Sequence, residues 1–229
     1  MKKLTVTIPT RQKVWGCVYL ALQLLVIPTV LATCNLIFAW GLSDAELNFI
    51  FFCINFACVA VIFGHFILRN GKIALKAPLQ VLLTALGAYY AYTFLSAMIH
   101  YAIGAIYPEF YNVNDSFVST MVTDEFALMF IGTALLVPIT EEVLYRGLIF
   151  AGLYNRSRIL AYAISTVAFA ALHVVGYIGL YTPLHLLLCL LEYIPAGLCL
   201  AWAYAMSDTI WTPILIHTAV NTMAVLAMR

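Results

Sequence analysis

The stretch that decides the fold is FALMFIGTALLVPITEEVLYRGLIFAGLY, which runs from Phe126 to Tyr154. It is long and apolar enough to cross a bilayer, since about 20 apolar residues suffice for a transmembrane helix. Three charged side chains, Glu141, Glu142 and Arg146, nevertheless lie near its middle. A charge at the bilayer centre costs about 2.5–3.5 kcal/mol on insertion scales, so these side chains require partners, a wet cavity or a function.

The composition of the whole chain places this stretch in a membrane protein. Of 229 residues, 65% are hydrophobic and only 9% are charged, which is far too little charge for the surface of a soluble domain. The formal net charge is +1, and the sequence contains no basic patch that would follow a phosphate backbone. The composition therefore predicts an all-α, polytopic protein embedded in the lipid bilayer, and it argues against a nucleic-acid partner.

Seven apolar segments of membrane length predict a bundle of about seven transmembrane helices. Their approximate bounds are 14–40, 47–68, 78–105, 126–154, 159–180, 183–206 and 210–228. The longest polar connection is YPEFYNVNDSFVSTMVTDE, residues 107–125, which is acidic and too short to be a domain.

The charges of the loops indicate how the chain is oriented. Basic residues occupy the N-terminus and the loops after the second and fourth segments: Lys2, Lys3, Arg11, Lys13, Arg69, Lys72, Lys76, Arg156 and Arg158. Other loops carry acidic residues and no Lys or Arg: Asp44, Glu46, Glu109, Asp115, Asp124 and Glu125. Because cytoplasmic loops are enriched in Lys and Arg, this pattern predicts a multi-pass protein of the cell membrane with a cytoplasmic N-terminus. For seven spans, Arg229 then lies outside.

Helical spacing separates the three charges of the opening stretch. Glu142 and Arg146 are four residues apart, so they share a helix face and can form an ion pair. Glu141 is rotated by about 100° from Glu142, so we expect it to have a different environment and a partner on another helix.

Two later segments offer such partners. His173 stands four residues after Phe169 in FAALH, and Asn221 stands four residues after His217 in HTAVN. A lone buried histidine is usually a packing residue, but Glu141 and these groups at similar depth form a set suited to hydrolysis. A carboxylate and an imidazole can activate a water, and an imidazole and an amide can donate hydrogen bonds to a developing oxyanion.

Together, EEVLYR at 141–146, FAALH at 169–173 and HTAVN at 217–221 resemble the EExxxR, FxxxH and HxxxN signatures of the CPBP family of intramembrane proteases. This family comprises the type II CAAX prenyl endopeptidases and the bacterial bacteriocin-processing or immunity proteins, also called Abi proteins. The resemblance divides the chain into residues 1–124, with N-terminal transmembrane helices and an external loop, and residues 125–229, with a catalytic transmembrane core.

The resemblance implies a role for each matching residue. Four residues would carry the chemistry: Glu141, His173, His217 and Asn221. The first two would activate the nucleophilic water, and the last two would stabilise the oxyanion. Three residues would support the site: Glu142, Arg146 and Phe169. Eukaryotic relatives have eight spans, so eight is the alternative count for this chain.

The resemblance leaves the catalytic class open between a glutamate-type and a metal-dependent hydrolase. Glu141, His173 and His217 would be the ligands of a zinc ion, with water in the fourth position. The sequence has no HExxH motif and the ligands would come from three helices, so we expect a metal-free water-activating site.

We therefore expect a bacterial intramembrane endopeptidase that acts on a peptide or on the tail of a membrane protein. Leader peptides, bacteriocins and peptide signals are expected substrates, ahead of prenylated CAAX proteins. The alternative is a non-catalytic bacteriocin self-immunity or scaffold protein. A transporter is a third reading, because intramembrane carboxylates also relay protons, although the sequence shows no inverted repeat.

Overall fold

The computed structural model describes residues 3–229, so that Lys2, used above to orient the chain, lies outside the described residues. Within 3–229 the chain is helical and contains no strand. Eight helices follow one another: α1 Thr10–Ile37, α2 Asp44–Lys76, α3 Pro78–Ile106, α4 Val113–Asp124, α5 Phe126–Tyr154, α6 Arg158–Val175, α7 Pro183–Ser207 and α8 Trp211–Ala227. The predicted all-α polytopic bundle is confirmed.

Six of these helices are long and apolar enough to cross a membrane: α1, α2, α3, α5, α6 and α7. The seventh predicted span corresponds to α8, which is apolar but is only 17 residues long. Two predicted ends differ from the structure by five residues or more. The segment predicted at 47–68 continues as helix to Lys76, because long basic side chains are good helix formers and extend the helix past its apolar part. The segment predicted at 159–180 ends at Val175, followed by a turn in which Gly179 has a φ of +88°.

The acidic connection at 107–125 contains a helix that the sequence analysis did not predict. Helix α4 begins after Asn112, whose side-chain oxygen accepts hydrogen bonds from the backbone N–H groups of Asn114 and Asp115. Val113, Met121 and Val122 are its buried residues. Asparagine before a stretch with apolar residues at helical spacing is a start signal that the polar appearance of the loop obscured.

Helix α5 forms the centre of the bundle. Its residues from Glu142 to Leu148 are all buried, and Tyr145, Phe150 and Tyr154 belong to the main apolar core. Close contacts hold neighbouring helices to it: Ser165 of α6 donates a hydrogen bond to the carbonyl of Tyr145 at 2.8 Å. Elsewhere, large apolar side chains face outward, as is expected of a surface in contact with lipid tails.

Two segments of α5 adopt π-helical hydrogen bonding, Phe130–Leu136 and Glu142–Phe150. A third lies in α1, at Leu22–Val26. Such wide turns are frequent at functional sites, and they change the direction of side chains relative to a regular helix. The candidate residues Glu141 and Glu142 lie where the second π segment of α5 begins.

Candidate active site

The four candidate catalytic side chains line one cavity of about 710 Å³. Glu141 comes from α5, His173 from α6, and His217 and Asn221 from α8. Helices α1, α2 and α4 and the segment after α6 complete its wall. The fold therefore brings together, from three helices, the residues that the sequence analysis selected separately.

Glu142 is buried and has two partners. Its Oε1 accepts a hydrogen bond from Arg146 Nη1 at 3.0 Å, which is the ion pair predicted from the spacing. The same oxygen lies 2.9 Å from His217 Nδ1. Because an ionised carboxylate only accepts, His217 Nδ1 carries the proton of this bond. Glu142 thereby fixes the orientation of the imidazole through a buried carboxylate–histidine contact.

Glu141 lies in the cavity wall, unlike Glu142, and its neighbour comes from another helix, but the two carboxylates share that neighbour, which was not expected. His217 Nε2 lies 4.0 Å from Glu141 Oε2, so the two edges of one imidazole face two consecutive carboxylates. The π-helical turn at this point and the reach of a planar ring from α8 bring both side chains to the same histidine. Glu141 Oε2 is buried and has no hydrogen-bond partner within residues 3–229. The side chain as a whole lines the cavity and is 14% exposed, so that a water or a substrate group can reach the carboxylate.

His173 is held on two sides. Its Nδ1 lies 2.9 Å from the carbonyl oxygen of Phe169, and since a carbonyl only accepts, this nitrogen carries a proton. In a neutral imidazole, Nε2 is then the atom with the free lone pair. The ring of Tyr193 stacks on the imidazole, with 4.1 Å between centroids and 20° between planes. His173 is therefore a fixed ring that can accept a proton at Nε2.

Arg146 joins α5 to α6 and α7. Its Nη2 donates to the carbonyl oxygens of Ala196 and Gly197, both at 3.4 Å. Its guanidinium carbon lies 4.1 Å from the ring centroid of Phe169, which is a cation–π contact. Phe169 thus contacts both Arg146 and His173, and its position agrees with the supporting role that the resemblance implied.

Asn221 binds a backbone carbonyl of α5, that of Thr133, which lacks its usual partner within the helix. In the π segment, the N–H of Val137 donates to the carbonyl of Gly132. The carbonyl of Thr133 would next receive the N–H of residue 138, but Pro138 has none. This carbonyl oxygen of Thr133 instead accepts a hydrogen bond from Asn221 Nδ2 at 2.9 Å. An amide nitrogen carries two hydrogens, so one of them is left to point elsewhere.

A polar cluster beside the cavity was missed from the sequence. Tyr193 donates a hydrogen bond to Asp115 Oδ1 at 2.7 Å and accepts one from Asn114 Nδ2 at 3.1 Å. The stacked ring of Tyr193 therefore connects α4 to His173. Although Asp115 is open to the cavity, the surrounding protein displaces enough water to raise the pKa of its carboxyl group, an effect that the Tyr193 hydrogen bond opposes.

Glu192, one turn before Pro195 in α7, belongs to a separate contact. Its two carboxylate oxygens pair with His100 Nδ1 at 2.7 Å and with Asn112 Nδ2 at 2.8 Å. Glu192 therefore ties α3 and the start of α4 to α7.

The zinc alternative was tested on the geometry of the side chains. Across residues 3–229, no three His, Cys, Asp or Glu side chains are gathered closely enough to hold a metal ion. His217 Nδ1 already contacts Glu142, and the expected ligands Glu141, His173 and His217 do not form a preassembled metal site.

Comparison with known proteins finds a similarity to the C-terminal part of the chain. Residues 123–223 match the family model described as "Type II CAAX prenyl endopeptidase Rce1-like". The chain is 35% identical over 100 residues to YdiL of Bacillus subtilis strain 168, whose name provisionally describes it as a membrane peptidase. That alignment covers 43% of this chain and 36% of YdiL. No solved structure matches the chain significantly.

Proposed function

We propose, on the premise that residues 123–223 belong to the Rce1-like family of CAAX-type endopeptidases, that this multi-pass membrane protein is an intramembrane endopeptidase. The observation that carries the proposal is the contrast between two consecutive carboxylates. Glu142 is fully buried, lies outside the cavity wall and is paired through Oε1 with Arg146 and His217, whereas Glu141 lines the cavity, is 14% exposed and has no hydrogen bond within the described residues. The same cavity also contains His173 and Asn221. A structural ion pair explains the first carboxylate but not the second.

In the proposed reaction, a water held between Glu141 and His173 attacks the carbonyl carbon of the scissile peptide bond. Its proton passes to Glu141 or to His173 Nε2, and the carbonyl oxygen becomes an oxyanion. Collapse of the tetrahedral intermediate breaks the C–N bond, and the stored proton goes to the leaving amine. One new carboxylic acid and one new amine result, so that both hydrogens and the oxygen of the water are accounted for.

The oxyanion requires donors, and α8 supplies them. The hydrogen of Asn221 Nδ2 that is not used by Thr133 is one donor. His217 donates from Nε2 when it is doubly protonated, with Nδ1–H held by Glu142. Preorganised donors of this kind contribute about 10²–10³-fold each to hydrolytic rates. Arg146 and Phe169 support this arrangement by fixing α5 against α6 and α7.

We propose a peptide or the tail of a membrane protein as substrate, because Glu141 and His173 lie within helices long enough to cross a membrane and His217 and Asn221 lie within the apolar helix α8. A leader peptide, a bacteriocin or a peptide signal fits a compact bacterial enzyme better than a prenylated protein. The alternative, a non-catalytic immunity or scaffold protein, does not require an unpaired Glu141, and the experiment below separates it from the protease.

The test compares the peptides of cells that express the wild type, Glu141→Gln or Glu109→Gln at equal protein levels. Glu141→Gln keeps the shape of the side chain but removes the base, so we expect peptide ends made by the wild type to fall by about 10²-fold or more. Glu109 is exposed outside the spans, so Glu109→Gln should match the wild type. The proposal is overturned if Glu141→Gln produces the same peptide ends, and a phenotype preserved in that variant would favour the immunity protein.

A further inference from the structure

The cavity occupies only one half of the bundle. Its lining from α2 runs from residue 44 to 55, its lining from α5 from 133 to 141, and its lining from α8 from 217 to 228. The other halves of these helices contribute nothing to it. Glu141 and His217 therefore lie at the inner end, near the middle of the bundle, and Asp44, Asp115 and Met228 lie at the outer end.

The opposite end of the bundle is basic. Arg69, Lys72 and Lys76 lie at the end of α2, and Arg156 and Arg158 lie between α5 and α6. Neither group is part of the cavity lining. Because Lys and Arg are concentrated on the cytoplasmic side of membrane proteins, the end into which the cavity opens is the extracytoplasmic one.

The wall of the cavity has a distinct chemistry. It contains the carboxylates of Asp44, Asp115 and Glu141 but no Lys or Arg side chain. Arg229, at the same end of the bundle, packs over the ring of Phe126 instead. A cavity with carboxylates and no basic group attracts positive charge, and the field is strongest where low-dielectric walls surround it.

An amide on α1 supplies independent evidence for a bound peptide. Gln23 lines the cavity and is only 5% exposed, and its side chain makes no hydrogen bond to the described part of the chain. Because the amide of Gln23 lines the cavity and has no partner among the described residues, a group bound in the cavity can pair with it. An amide side chain both donates and accepts, which suits the N–H and C=O groups of an extended peptide.

Asn55 lies on the same wall, from α2. It is also 5% exposed, and its Oδ1 accepts a hydrogen bond from the Tyr19 hydroxyl, so that its Nδ2 remains to donate. Both amides belong to the N-terminal half, outside residues 123–223 that match the endopeptidase family. The N-terminal helices therefore contribute their own polar groups to the cavity.

We propose that the catalytic cavity is loaded from the extracytoplasmic side and that it binds a cationic, outward-facing peptide segment whose main chain pairs with Gln23 and Asn55. The substrate part of this inference rests on the proposed function, whereas the side of access does not. The acidic outer end would guide a basic segment inward, and the two amides would hold its backbone opposite Glu141.

The side of access is tested by thiol labelling in intact cells, in a chain whose six native cysteines, all free, are replaced by alanine. Phe117→Cys and Leu180→Cys lie in the cavity wall, and Ile159→Cys lies beside the basic end. We expect a membrane-impermeant maleimide to label the first two in intact cells and the third only after permeabilisation. The reverse pattern overturns the proposal. If the cysteine-free chain does not fold, the native chain with alkaline phosphatase fused after Arg229 provides a second test. We expect this fusion to be active, and an inactive fusion at normal protein level overturns the proposed side of access.

The substrate class is tested with the peptide ends identified in the Glu141→Gln comparison. Asp44→Lys should lower their amount about tenfold, and Gln23→Leu should do so by a similar factor, while Glu109→Lys leaves it unchanged. Equal amounts of these peptide ends from the wild type and the three variants overturn the cationic-peptide proposal. A wild type without any Glu141-dependent product contradicts the proposed function itself, and the labelling result then still decides the side on which the cavity opens.

Discussion

Helices α3 and α5 are both 29 residues long and both apolar enough to span a membrane, yet the bundle uses them differently. Helix α3 buries only Val81, Ala88 and Ile103, and most of its side chains face outward. Helix α5 buries every residue from Glu142 to Leu148, including two charged ones. Length and hydropathy do not separate a lipid-facing helix from a site-bearing one. The two helices differ in their polar side chains, because only a buried helix such as α5 can place charged groups against partners on neighbouring helices.

The same contrast extends to the two halves of the chain. In the core, α5, α6 and α8 direct Glu141, His173 and His217 into the cavity, and the supporting contacts of Arg146 and Phe169 are buried behind them. In the N-terminal half, the outer part of α1, Ile27–Ile37, buries no residue at all. The same substitution should therefore change cleavage or stability much more in the core than in the N-terminal half.

The largest expected difference is between two histidines. His173→Gln removes a ring whose Nε2 is free to accept a proton, so we expect cleavage to fall by about 10²–10⁴-fold. His65 is exposed on α2, and His65→Gln should leave cleavage unchanged. Product formation in cells at equal protein level measures both. A His173→Gln chain as active as the wild type would remove this residue from the chemistry and weaken the distinction between the halves.

The second comparison is between two arginines and concerns stability. Arg146→Met leaves Glu142 buried with one partner fewer, and breaking a buried pair typically costs about 3–5 kcal/mol. Arg69 is exposed near the end of α2, so Arg69→Met should change the free energy of unfolding by no more than about 0.5 kcal/mol. Unfolding in detergent measures both values. Equal stabilities would mean that the Glu142–Arg146 pair is not a structural element of the core.

The third comparison uses two glycines and has the smallest expected effect. A Cβ on Gly197 of α7 would lie 2.6 Å from Thr166 Cγ2 and 3.0 Å from Thr166 Cα, so Gly197→Ala should destabilise the protein by about 1–3 kcal/mol. A Cβ on Gly87 of α3 meets nothing within 4 Å. Alanine is the better helix former, so Gly87→Ala should be neutral or stabilising by up to about 1 kcal/mol. If both variants melt alike, α6 and α7 are not closely packed at this point.

Much of the fold could be predicted because membrane helices are encoded locally. An apolar run of sufficient length is a strong signal, and the predicted segments agree with α1 to α3 and α5 to α8 apart from their ends. Helix α4 was missed because its polar composition resembles that of a loop, and its buried face, with Val113 and Met121, is recognisable only once the surface that covers it is known.

The candidate site was predicted in its residues but not in its connections. Spacing alone indicates that Glu142 can reach Arg146, since four residues make one turn of the same helix. It cannot indicate that His217 reaches both Glu141 and Glu142, that Tyr193 stacks on His173, or that Glu192 binds His100. These contacts join residues that are far apart in the chain.

The sequence by itself therefore determined the membrane character of the protein, the approximate spans, the Glu142–Arg146 pair and the candidate catalytic set, because each depends on composition or on spacing within one helix. The tertiary structure decided which of the two carboxylates lines the cavity, which nitrogen of His173 is free, and that α1, α2 and α4 wall the cavity at one end of the bundle. The physical reason is that hydrogen bonds and burial at the site depend on how helices pack against one another, and packing is a property of the whole bundle.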